Sequence, residues 1–206
     1  MKTDVLVVFD EMQFTKRDWR NRNLIKTPNG LRWLTIPVEL KGKYHQKIKD
    51  TKIANENWNQ SHLNILHQNY HKADCFKEVW EWVEEVYLNC NFQFLTDINM
   101  YFIKAINEFL KINTEILFSR DFSLHEDRNM RLINICKELK GTTYCTGSAA
   151  KEYLDEQLFN KNGIEVKYFN YSKYPEYNQL HNDFEHGVSI LDLIFNVGNQ
   201  STLYLS

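Results

Sequence analysis

The chain reads as an α/β protein: three layers, with a mainly parallel sheet flanked by helices. Two observations predict this. The run DVLVVFD at 4–10 is apolar without alternation, the pattern of a strand covered on both faces. The second half alternates strand-like and helix-like segments: TEILFS, EDRNMRLINICKELKG, TTYCTG, AAKEYLDEQLF, IEVKYFNY and SILDLIFNVG. That alternation marks βαβ units. No repeat, low-complexity tract or convincing linker interrupts the 206 residues, so a single domain over 1–206 is expected.

The elements follow in order. After the first strand, turn chemistry at Pro28-Asn29-Gly30 precedes a strand expected at Trp33 to Val38. KGKYHQKIKD reads as an exposed basic loop. Ser61 is the expected N-cap of a helix opening at SHLNILHQNYHKA. FKEVWEWVEEVY is amphipathic, with Phe76, Val79, Val83 and Val86 on one face. In the next helix, expected to be capped by Thr96, the stripe is Ile98, Phe102, Ala105, Ile106 and Phe109. EDRNMRLINICKELKG carries acids in its first turn, lysines in its last and Gly141 as a glycine C-cap. Ser148 is expected to cap a helix over AAKEYLDEQLF. Ser189 and Gly198 bracket the final helix.

Composition excludes several classes. Hydrophobic content of 43% and charged content of 25% are those of an ordinary globular chain. VLVVF is too short for a signal core or a membrane span. Cys75, Cys90, Cys136 and Cys145 show no metal or redox spacing. Three of them, Cys75, Cys136 and Cys145, have the neighbours of buried thiols, so a reduced, cytoplasmic setting is expected. His62, His67 and His71 lack an acid at ligand spacing, and no P-loop, GxSxG or GxGxxG occurs. No metal and no cofactor is expected.

Charge is unevenly spread. Residues 16–52 hold eleven Lys/Arg and three acids, +8, which leaves −10 for the rest of a chain of net −2. Within that segment KRDWRNRN, at 16–23, concentrates hydrogen-bond donors. Read as a loop at the carboxyl edge of a parallel sheet, where open α/β folds bind ligands, it offers Lys16, Arg17, Arg20, Arg22 and Lys26 to an anion. Asn21 and Asn23 would meet polar substrate groups, and Trp19 would stack on a ring or pin the loop. Asp10 and Gln13, at the strand's end, are the candidate catalytic pair. A second anion site is expected at Gly147, Ser148 and Lys151, where a strand passes through a glycine into a helix. Structural salt bridges, a solvated basic loop and ordinary helix capping would account for the same residues. Tyr174, Tyr177, Gln179, His181, Glu185 and His186 crowd the C-terminal stretch without a spacing that selects a role. Nucleic acid is not an expected partner, because the body outside the short basic segment is acidic.

MQFTKRDWRNRNLIKTPNGLRWLTIPV, TYCTGSAAKEYLD and YPEYNQLHNDFEHGVSILDLIFN closely resemble the WbqC-like family of bacterial proteins over essentially the whole chain. The resemblance implies a place in gene clusters for lipopolysaccharide O-antigen and other surface polysaccharides. It also implies a Rossmann-like or nucleotidyltransferase-like fold. The expected function is a transferase moving a glycyl or related acyl group to a nucleotide-activated amino sugar; the alternative is a non-catalytic ligand-binding or assembly protein of the same pathway. Family members usually open with a further strand, a Q-x-N-Y-x-P-W loop and a helix ahead of the strand that here starts at Asp4. The expectation is therefore a shortened or late-started chain with an exposed apolar edge at Val5 to Phe9, prone to pair as a homodimer.

Overall fold

A computed structural model of the chain describes residues 3–171, 174–181 and 183–205. The fold is α/β and divides into two compact units, residues 1–11 with 114–174, and residues 12–113 with 175–206.

In the first unit β1 (Val5–Val8) pairs in parallel with β4 (Glu115–Phe118), Val8 lying opposite Phe118. β5 (Thr143–Thr146) pairs in parallel with β6 (Glu165–Tyr168). Between β4 and β5 runs α4 (Arg128–Glu138), and between β5 and β6 runs α5 (Glu156–Lys161). Ile133, Phe159 and Ile164 form the core here. Asp127 caps α4 by accepting from Met130 N at 2.8 Å. Its C-terminus departs from expectation. Lys140, not Gly141, takes the left-handed conformation (φ 55°), and Gly141 N donates to Cys136 O at 2.7 Å. Ser148 does not cap a long helix either. Residues Ser148–Glu152 form a 3-10 turn behind Gly147, and Asp155 caps α5 by accepting from Leu158 N. β1 is only half-buried, with Leu6 44% exposed, so it is not covered on both faces.

The second unit contains a hairpin, β2 (Arg22–Thr27) and β3 (Gly30–Thr35), with Thr27 opposite Gly30. It also contains α1 (Trp58–Tyr70), α2 (Phe76–Leu88), α3 (Leu95–Phe109) and α6 (Ile190–Val197). Leu63, Leu66, Tyr70, Val79, Val83, Ile98, Ile194 and Phe195 pack its core, and Tyr70 stacks on Phe195 with centroids 4.8 Å apart. Two caps differ from those expected. α1 starts after Asn57 and α3 after Phe94, so Ser61 and Thr96 lie inside their helices.

Among the described residues the strands form three two-stranded ladders, two parallel and one antiparallel, not one mainly parallel sheet. The antiparallel ladder has a simple cause. Pro28 and Asn29 are the only residues between β2 and β3, whereas a parallel pair needs a crossover of a dozen residues or more. Gly30, at φ 99°, completes this turn in a conformation other residues avoid. No helix among the described residues is long and apolar enough to cross a membrane.

Candidate functional site

Residues 12–21 form a loop that runs back along residues 44–48. Phe14 N donates to Gln46 O at 2.9 Å and Ile48 N to Met12 O at 2.9 Å. Phe14 is buried with Val38 and Leu95, which fastens the loop to a small core of its own. Gln13, expected to be catalytic, donates its amide to Tyr44 O at 2.9 Å.

The loop's cations do not share one target. Lys16 Nζ sits 5.5 Å from the centroid of the Tyr44 ring. Arg17 is exposed, and its backbone is left-handed at φ 59°, which costs on the order of 1–3 kcal/mol for a residue with a Cβ. Its carbonyl accepts from Arg22 Nη2. The Arg20 guanidinium pairs with Asp18 and donates to Thr15 Oγ1, while Asn99 Nδ2 donates to Arg20 O at 2.9 Å. Arg22 lies over Trp33, its Cζ 3.9 Å from the ring centroid. Trp19, 57% exposed, meets the same ring edge-on at 5.0 Å. Asn21 is buried and donates to Ile36 O at 2.8 Å, and Asn23 Oδ1 accepts from the next residue's N–H. Much of KRDWRNRN therefore shapes the loop and the start of β2.

A cavity of about 330 Å³ opens beside this loop, lined by Gln13, Phe14, Thr15, Lys16, Leu40, Lys43 and Tyr44. It brings together two of the residues expected from sequence, Gln13 and Lys16. It adds Lys43 and Tyr44, from the segment expected to be an exposed basic loop. Lys43 pairs with Glu39, and that ammonium holds the Glu39 carboxyl below its ordinary range. Two ammonium groups beside a phenol ring and a buried phenylalanine suit a ligand that carries both negative charge and a planar or apolar part.

Lys26 behaves differently. It is buried, and its Nζ donates to Gln179 Oε1 at 2.9 Å and Asp183 O at 2.6 Å. Tyr70 and Tyr177 each donate to one oxygen of the fully buried Asp192, both at 2.8 Å. Gln179 Nε2 donates to Tyr177 Oη and to Glu185 O. Asn196 Nδ2 donates to Asp192 O, and Leu180 N to Asn196 Oδ1. Burial raises the Asp192 carboxyl above its ordinary value, against the pull of the phenol donors and of Lys26. The conspicuous residues of the C-terminal stretch are thus largely scaffold. His62 is scaffold as well. Its Nε2–H donates to Thr35 O at 2.8 Å, and burial lowers its pKa to about 4.

In the other unit Asp10 stands two residues beyond β1, at the carboxyl end of the parallel β1–β4 pair. It is 1% exposed; Arg120 Nη1 donates to Oδ2 at 2.9 Å, and Oδ1 has no partner among the described residues. The Ser119 hydroxyl, one residue beyond β4, is also buried without a partner among the described residues. Ser119 and Arg120 went unread in sequence, although the carboxyl-edge rule that selected Asp10 applies equally to FSRD after β4. Gly147, Ser148 and Lys151 follow β5 in this unit. Their 3-10 turn of five residues lacks the aligned dipole of a true helix, and Lys151 Nζ is held 4.8 Å from the Tyr168 ring centroid.

Comparison with known proteins adds the lineage. The chain is 42% identical over 202 residues to the uncharacterized protein Rv1507c of Mycobacterium tuberculosis, an alignment that covers 98% of this chain and 87% of that protein. No solved structure matches it. A model of the WbqC-like protein family matches residues 1–204, and the chain belongs to that family.

Proposed function

We propose that the protein is a transferase of surface-polysaccharide (O-antigen) biosynthesis, acting in the cytoplasm on a nucleotide-activated amino sugar and transferring a glycyl or related acyl group to it. The observation that carries this reading is the cavity of Gln13, Phe14, Thr15, Lys16, Leu40, Lys43 and Tyr44. Lysine ammonium groups match a diphosphate, and Tyr44 and Phe14 match a ring. Arg17, exposed and adjacent in sequence, is the further cation for the phosphates. The pathway rests on the family resemblance. Asp10, in the first unit, is the proposed general base: its Oδ1, without a partner among the described residues, would take the proton that an attacking amine loses as the acyl group passes to it and the acyl carrier leaves. Arg120, on the other carboxylate oxygen, holds Asp10 in place. The two parallel ladders support a Rossmann-like reading of the first unit.

A non-catalytic binding protein of the same pathway is the second reading. Arg20 and Arg22 favour it, because both are engaged by their own loop and are poorly placed to follow a reacting group.

Thermal melting with nucleotide sugars, nucleotides and amino acids tests both, since a ligand that binds the folded state raises the melting temperature. One nucleotide sugar should raise it, and K16A together with K43A should remove the shift. With the acyl donor supplied, mass spectrometry should find acylated sugar; D10N should keep the melting shift and lose the product. A shift without product in the native chain selects the binding protein. No shift with any nucleotide or nucleotide sugar overturns the anion pocket.

A further inference from the structure

The second unit holds another cavity, of about 340 Å³, between the start of α2 and the segment that follows α6. Its chemistry is unlike that of the basic cavity. No lysine, arginine or histidine is among the residues that line it. The Asn178 and Gln200 amides and the Tyr204 hydroxyl line it with no hydrogen-bond partner among the described residues. Glu78 supplies a carboxylate, with Oε1 accepting from Asn199 Nδ2. Tyr177 and Tyr204 meet at 5.8 Å, ring planes 79° apart, and give the cavity its apolar wall. Tyr177 is held by its bond to Asp192, so that wall is rigid.

Most ligand pockets are chiefly apolar with a few polar groups, and run from about 300 to 1,000 Å³. This one is at the small end and is rich in neutral donors and acceptors. A phosphate would meet one carboxylate and no cation. An apolar ligand would strand the amides. A small ring with hydroxyls around its rim and C–H groups on its faces satisfies both kinds of wall. Gly198 lets the chain pass close to two of the lining residues: at φ 59°, a Cβ there would stand 3.0 Å from both Cys75 Sγ and Glu78 Oε2.

We propose that this cavity is a monosaccharide site, in which the amides and Tyr204 bind ring hydroxyls, the tyrosine rings take the C–H face, and Glu78 binds the ammonium of an amino sugar. It uses none of the residues of the basic cavity, so it stands or falls apart from the nucleotide reading.

The test is saturation-transfer NMR on the full chain with glucosamine, glucose and inorganic phosphate as probes. Glucosamine should receive saturation on its ring protons, with glucose weaker and phosphate without effect on either. N178A and Q200A, both at exposed positions, should each weaken glucosamine by roughly three- to tenfold. E78Q should weaken glucosamine by a similar factor and leave glucose unchanged. K16A should leave all of this unchanged. Absence of transfer to either sugar from a folded chain overturns the proposal. So does transfer that is unaltered in an N178A/Q200A double variant, because the sugar would then bind elsewhere.

Discussion

Within the unit of residues 12–113 and 175–206, the loop at 12–21 and the loop at 175–188 use polar side chains in opposite ways. Both are dense in charge and aromatic rings. The later loop turns its groups inward: Tyr177 and Gln179 join Lys26, Tyr70 and Asp192 in a buried network in which each donor has an acceptor. The earlier loop is fastened by its backbone and by Phe14, and leaves Lys16, Arg17 and Trp19 in solvent. Lys26 and Lys16 belong to the same basic segment, yet one is a buried strut and the other an exposed charge beside the Tyr44 ring. Charge density in a sequence says nothing of which way a side chain faces; strand register and packing decide that.

The comparison is broken most sharply at Asp192. D192A should destabilise the protein by about 3–5 kcal/mol in urea unfolding, because Lys26 loses its buried counter-charge and two phenols lose their acceptor. D192N, which keeps one acceptor oxygen, should cost less. Equal and small losses in both would mean that the network contributes little.

Acid should come next. His62 has a folded pKa of about 4 against an ordinary 6.5. With the folded value depressed, its contribution is complete above pH 6.5 and is lost as pH falls toward 4, by about 3 kcal/mol at the limit. Asp192, with its carboxyl raised, works in the opposite sense: its contribution is present at low pH and lost as pH rises through the folded value. The difference between native protein and H62Q, followed by urea unfolding from pH 7 to 4, isolates the histidine. A flat difference would refute its buried neutral state.

The smallest effect on stability is expected in the exposed loop. K16A and R17A should each change unfolding free energy by no more than about 0.5 kcal/mol. R17G should raise it slightly, since glycine adopts φ 59° without strain. A large loss in K16A or R17A would make these cations struts like Lys26.

Some of the fold is legible in the chain because it depends on local pattern. Phe76, Val79, Val83 and Val86 recur at helical spacing and are all buried, and Ser189 and Gly198 bracket α6 as read. β2 is hidden because Arg22, Asn23 and Lys26 look like a continuation of the basic loop. Their strand character comes from pairing with β3, which a window of sequence does not contain. The caps fail for a related reason: Ser61 and Thr96 have capping side chains, but packing at Trp58 and Leu95 extends each helix past them. Among the thiols, Cys90 is the most buried, not the three whose neighbours suggested it.

The candidate sites of the two units divide along the same line. Gln13, Lys16 and Asp10 could be chosen from position alone, as the residues that follow an apolar strand. Lys43 and Tyr44 join the first two only because Phe14 and Ile48 fold residues 44–48 back onto the loop. Arg120 reaches Asp10 only because β4 runs parallel beside β1.

The sequence by itself determined the α/β class, the strand–helix alternation of the second half, the family, and the concentration of positive charge in residues 16–52. These follow from short-range periodicity and composition. Tertiary structure alone decided that the strands of the described residues form three separate ladders, that Lys26 is buried against Gln179 while Lys16 is exposed beside Tyr44, and that amides distant in sequence, Asn178 and Gln200, line one cavity. Each of these depends on contacts between residues far apart in the chain, and which groups meet is fixed only when the core closes.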